Sequence, residues 1–148
     1  MITIPKKIYE EMMAHAKKGY PNEACGILAG PPKSDGPADA LVVGTASSVT
    51  YFFAMRNVDE SSISYFMDPK EQLHVFKKMR ELKAGMLGIF HSHVASPASP
   101  SQKDIRLAFY PEVSYLIVSL SDRNKPVLRS FKIQDETVKE EEIKIANE

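Results

Sequence analysis

A single cysteine, Cys25, stands in 148 residues. No intrachain disulfide can close, and thiolate-rich structural metal clusters are excluded. Nor does one sign of charge dominate: Lys plus Arg and Asp plus Glu are 19 each, for a formal net charge of zero. Bulk electrostatics therefore gives nucleic acid or an anionic membrane nothing to bind. Long apolar runs are also missing, since no stretch approaches the roughly 20 residues of a membrane span. The opening MITIPKKIYEEMM has no apolar signal core. These absences together predict a cytoplasmic protein. Repeats, low-complexity segments and linkers are absent too, so a single domain over 1–148 is expected.

What is present is the composition of a soluble globular chain, 43% hydrophobic and 26% charged, long enough to bury an ordinary core. Ile2–Ile4 reads as a short strand. Pro5 suits the first turn of a helix in which Ile8, Met12 and Ala16 recur, and Gly19 ends it. Glu23–Gly30 is small and apolar, a buried strand with one acid at its head. Pro31–Ala38 is a loop by composition. Leu41–Val49 and Tyr51–Ala54 form a strand pair or one bent strand, Arg56–Ser62 a loop, and Ile63–Met67 a short strand. Asp68-Pro69 opens a second helix to about Lys83, with Leu73, Phe76, Met79 and Leu82 as its core stripe and Gly85 as its stop. Met86–His93 is a central strand. Ser101 caps a short helix through Phe109. Val113–Leu120, Val127–Ile133 and Val138–Ile145 are further strands, the last an edge. Short connections make the pairing mostly antiparallel. The fold class is α/β in composition, of α+β type: a central mixed, largely antiparallel curved sheet flanked by helices.

The chemistry is concentrated in HSHVASPASPSQKD, residues 91–104. Alternate residues of a strand share a face, so His91 and His93 project the same way. Asp104 approaches from the first turn of the following helix, on one face with Ser101 three residues before it. Two imidazoles and a carboxylate, with a fourth position open to water, make the donor set of a catalytic zinc site. Water on zinc needs a base. Glu23, a carboxylate at the head of an apolar segment, is comfortable there only if paired or functional. It is the candidate general acid/base, passing a proton from water to a leaving nitrogen. Ser101 is the candidate hydroxyl donor to the oxyanion.

The order Glu, His-Ser-His, seven residues, Ser, two residues, Asp resembles the JAMM (MPN+) metalloprotease motif. All five positions are filled, by Glu23, His91, His93, Ser101 and Asp104. The likeness runs from the first helix to the Arg129–Ile133 strand and includes Glu23-Ala24-Cys25-Gly26 and Tyr65-Phe66-Met67-Asp68-Pro69. The resemblance implies the JAMM/MPN fold, which is cytidine deaminase-like, and one catalytic Zn²⁺ held by the two His and the Asp. It implies Glu23 as acid/base and Ser101 as oxyanion donor. It also implies hydrolysis of the amide bond after the C-terminal glycines of a ubiquitin-like or sulfur-carrier protein. An extended Gly-Gly tail suits such a site, because backbone pairing needs no side chain and a narrow groove around a metal excludes one. Two departures stand out. Val94 occupies a place where many members carry Pro, which bears on loop shape. The long insertions of deubiquitinating members and the C-terminal helices of proteasome-lid and signalosome members are missing, so the chain resembles the compact stand-alone prokaryotic branch.

Other readings compete. A non-catalytic MPN-type protein-binding module would usually have lost ligands, and this chain has lost none. A non-haem iron enzyme uses the same two His and one carboxylate. Zinc deaminases need H-x-E with P-C-x-x-C, and thermolysin-like enzymes need H-E-x-x-H; both are absent. Cys25 as a nucleophile is disfavoured against its role as a small core residue. His15 and His74 lie on helices and read as structural. Lys139–Glu142 reads as a solvated strand edge.

Overall fold

Apolar residues alternate or run together in segments short enough to be strands, and in the computed structural model, which describes residues 1–31 and 48–147, they build a six-stranded mixed sheet. Its order is β3 (Tyr51–Met55), β2 (Cys25–Gly30), β4 (Gly85–His93), β5 (Ser114–Ser119), β6 (Val127–Gln134) and β7 (Thr137–Glu141). Only β4 and β5 pair in parallel; the other neighbours are antiparallel. This is the mixed, largely antiparallel architecture expected from the sequence. β1 (Ile2–Pro5) and β8 (Ile143–Ala146) form a separate parallel pair.

The period-2 alternation of the strands sorts two apolar clusters onto the two faces of the sheet. On one face α1 (Lys6–Gly19) buries Ile8, Met12, Met13 and Ala16 against Leu28, Phe90, Leu116 and Val118. On the other, α2 (Pro69–Glu81) buries Val75 and Met79 against Cys25, Ile27, Met86 and Ile117. β4, covered on both faces and paired on both edges, is buried at every position but Ile89, which explains its near-continuous apolar run. Strand β2 closes tightly on β3: a Cβ on Gly26 would stand 2.5 Å from the Phe52 ring.

Several details differ from expectation. Ile63–Met67 is no strand; it makes only an isolated bridge, Asn57 with Met67. The Asn57 side chain takes the place of a ladder: its Oδ1 accepts the Asp59 and Phe66 N–H groups and its Nδ2 donates to the Ser64 carbonyl. Leu73 is 68% exposed; it lies about 200° around the helix from Val75, which takes the inward position instead. The α2 C-terminus is turned by Lys83, at φ 54°, and Gly85 begins β4 rather than ending the helix. The Val138–Ile145 strand divides at Glu142, whose carbonyl accepts Ile2 N–H (3.0 Å), so that β8 leaves the main sheet for β1. The expected Pro31–Ala38 loop and Leu41–Val49 strand lie largely outside the described residues.

Candidate metal centre

β4 ends in His91-Ser92-His93. The side chains of His91 and His93 share the α2 face with Ile89, and Ser92 faces α1. Both imidazoles are buried, at 2% and 4% exposure. α3 (Gln102–Arg106) then presents Asp104. Its start is fixed by a reciprocal capping box: Ser101 Oγ accepts Asp104 N–H (3.0 Å) and Asp104 Oδ2 accepts Ser101 N–H (2.8 Å). The helix stops at Arg106, short of the expected Phe109.

Three donor atoms meet. His91 Nε2 lies 3.1 Å from His93 Nε2 and 3.2 Å from Asp104 Oδ2, and His93 Nε2 lies 3.1 Å from Asp104 Oδ2. Ligands about 2.0 Å from a tetrahedral cation stand about 3.3 Å apart, so the triangle fits a divalent ion held at bonding distance. The tautomer fits as well. His93 Nδ1 donates to the Pro97 carbonyl (2.8 Å), which leaves Nε2 bare when the ring is neutral. Tyr65 stacks on His91, centroids 4.6 Å apart, and holds that ring from the side. His91, His93 and Asp104 thus form a group able to hold a metal.

Glu23 precedes β2. The register pairs Cys25 with His91, and continuing it by two residues places Glu23 opposite His93 on the same face. The residue is 6% exposed. Desolvation pushes its carboxyl up to about 7, with the Asp104 charge adding to the rise and His93 and Lys103 opposing it. Burial also raises the Asp104 carboxyl, but the hydrogen bonds from His91, His93 and Ser101 N–H outweigh it and hold Asp104 far below the usual range. Burial lowers His91. For His93, burial works against the charge, and the Asp104 hydrogen bond and Pro97 carbonyl more than offset it, so its pKa rises. The two carboxylates in one site are pushed in opposite directions, the pattern of a ligand beside an acid/base.

All five sequence-singled residues therefore belong to one locale, with Ser101 exposed at its rim and the other four buried or half-buried. Cys25 is buried at 0% exposure, and burial drives its thiol up to about 12, so it is a core residue. His15 binds the Cys25 carbonyl at 2.9 Å, a structural use. Sequence reasoning missed three supports: Ser92, Asn57 and Tyr65. Asn57 Nδ2 donates to the Glu23 carbonyl (3.0 Å) and Glu23 N–H donates to the Ser61 carbonyl (2.8 Å). The only sequence signal for Ser92 was its place between the two histidines. Among the described residues no helix is long and apolar enough to cross a membrane.

Residues 5–134 match the family model for prokaryotic homologues of the JAB domain. The CysO-cysteine peptidase of Mycobacterium tuberculosis is 34% identical over all of this chain and 93% of its own length. The desampylase of Haloferax volcanii is 30% identical, over 77% of each chain. A solution structure of a Desulfitobacterium hafniense protein superposes with a TM-score of 0.83 at 47% identity, covering 100% of this chain and 94% of that one. With both the motif and its spatial assembly in place, this chain belongs to the prokaryotic JAB family and is a hydrolase of the JAMM (MPN+) type.

Proposed function

We propose that the protein is a zinc-dependent peptidase that cuts the amide bond after the C-terminal glycines of a ubiquitin-like or sulfur-carrier protein. One observation carries the reading: a closed triangle of two imidazole nitrogens and a carboxylate oxygen beside a buried glutamate, whose carboxyl burial pushes up to about 7. His91, His93 and Asp104 would hold the ion. When bound, zinc supplies a Lewis acid that polarises the scissile carbonyl and lowers the pKa of water. Glu23 takes a proton from the attacking water and delivers it to the leaving nitrogen, and a carboxyl poised near neutrality does both. Ser101 uses an Oγ lone pair in the helix cap, so its own proton remains free to donate to the oxyanion. The names of the two relatives, one acting on a cysteine adduct of a carrier and one removing a protein modifier, support this substrate class.

The deciding experiment incubates zinc-loaded protein with a panel of Gly-Gly-tailed carriers bearing C-terminal cysteine or a lysine isopeptide, read by mass spectrometry. Cleavage directly after the last glycine is expected. Intact carriers throughout, from protein shown to contain zinc, would remove the proposal. Elemental analysis of protein grown with both zinc and iron separates zinc from the iron reading, which shares the donor set.

A further inference from the structure

Ser92 is the one residue between the two histidines that the chemistry above leaves unused. Its side chain lies on the α1 face, opposite the imidazoles, and it is wholly buried at 0% exposure. Its hydroxyl has a defined partner: Oγ accepts Ala24 N–H at 2.8 Å, and Ser92 N–H donates to the Ala24 carbonyl at 3.0 Å. Regular strand pairing between β2 and β4 begins one residue later, at Cys25 with His91. The hydroxyl thus makes a rung beyond the regular ladder, at the residue that follows Glu23.

We infer that Ser92 is a positioning residue that sets Glu23 over the metal triad by clamping Ala24. The inference rests on the reading of Glu23 as acid/base. The backbone groups of Glu23 and Ala24 are held from two sides. The 56–67 loop takes Glu23, through Asn57 and Ser61. Ser92 takes both polar groups of Ala24. Because Ser92 is flanked in sequence by His91 and His93, the clamp ties the glutamate's backbone directly to the strand that carries two of the metal-binding side chains. Ala24 is itself buried, at 4% exposure. Loss of the hydroxyl orphans its N–H, a cost the chain relieves by shifting the strand head toward another acceptor. Glu23 moves with it.

The test pairs Ser92→Ala with Ser92→Thr, which keeps the hydroxyl, in the zinc-loaded protein with a Gly-Gly carrier adduct. A displacement of about 1 Å at a reacting group costs up to ~100-fold, so Ser92→Ala should lower kcat by ten- to a hundredfold with KM and zinc content unchanged. Ser92→Thr should recover most of the loss. In a Glu23→Gln background Ser92→Ala should cost nothing further, since a residue acting only through Glu23 has nothing left to position. An equal loss in both backgrounds, or a fall in zinc content, would overturn the inference in favour of an effect on the histidines. Amide hydrogen exchange supplies a readout independent of activity. The Ala24 amide should exchange faster in Ser92→Ala than in the parent, and equal protection would end the clamp outright. Should Ser92→Ala fail to fold, Ser92→Cys keeps the volume with a weaker acceptor and is judged by the same exchange measurement. If Glu23→Gln itself keeps normal turnover, the acid/base reading falls, while the exchange arm still decides the clamp.

Discussion

Glu23 answers to two opposed demands, and both are measurable. Burial that lifts its carboxyl from 4.5 to about 7 also makes the charged form costly. The sign follows from linkage: protonation is favoured in the fold, so the residue costs nothing below pH 4.5 and its penalty is complete only above about pH 7. In metal-free protein that penalty is on the order of 3 kcal/mol. Glu23→Gln should therefore raise the stability of the chelated protein at pH 8 and leave it nearly unchanged at pH 4, as denaturant melts would show. The same substitution should lower kcat by about 10²–10⁴-fold with zinc retained. A cation on the triad weakens the proton's hold on Glu23, so the acid limb of kcat/KM should fall between pH 4.5 and about 7 and vanish in the variant. Ser101 caps α3 and, in the proposed mechanism, also donates to the oxyanion. Ser101→Ala should cost about 1 kcal/mol of stability through the lost cap. Its kcat should fall by about 10²–10³-fold through the lost donor. A variant that lost stability alone would leave Ser101 as a cap and nothing more.

At the scale of elements, the 56–67 loop is the support that the sequence hid. β4 was legible because a strand covered on both faces reads as an apolar run, and α3 because Ser101 stands three residues before an acid. The loop has neither signal. Ile63 to Met67 looks like a strand in composition, yet Ile63 is 85% and Phe66 51% exposed, and one asparagine side chain satisfies the backbone that a ladder would have served. Long-range side-chain-to-backbone bonds of this kind have no period, so no pattern reveals them. Leu73 misled for a related reason: helical spacing defines several stripes, and only the packed sheet chooses between them. The register that brings Glu23 opposite His93 was likewise invisible, since residues about 70 apart are joined only by folding. Asn57→Ala tests the loop's role. It frees the Glu23 carbonyl and three further backbone groups. The loop should become sensitive to protease, and kcat should drop with zinc content intact.

For the whole molecule, the decisive asymmetry is between what the two cores hold and what they leave to the metal. β2 and β5 are buried from end to end, and β4 at every position but Ile89. α3 contributes no fully buried residue; half-buried Ile105 packs on the core and Asp104 ties the helix to the end of β4. Without a cation those contacts depend on a proton. Neutral imidazole nitrogens and a carboxylate oxygen 3.1–3.2 Å apart turn lone pairs toward one another unless a proton lies between. Burial works against that proton on His91, while the Asp104 and Pro97 hydrogen bonds favour it on His93. A zinc ion bound as proposed would replace that proton; if it binds only the folded chain, at a thousandfold excess over its dissociation constant it would add about 4 kcal/mol of stability. Chelation should therefore lower Tm, and it should do so unevenly. Hydrogen exchange should rise first in Gln102–Arg106 and the 94–101 loop, while β4 and β5 stay protected until global unfolding. Returning zinc should restore both. Uniform acceleration across the sheet would mean that the ion stabilises the entire fold and that the Ile105 packing holds α3 without it.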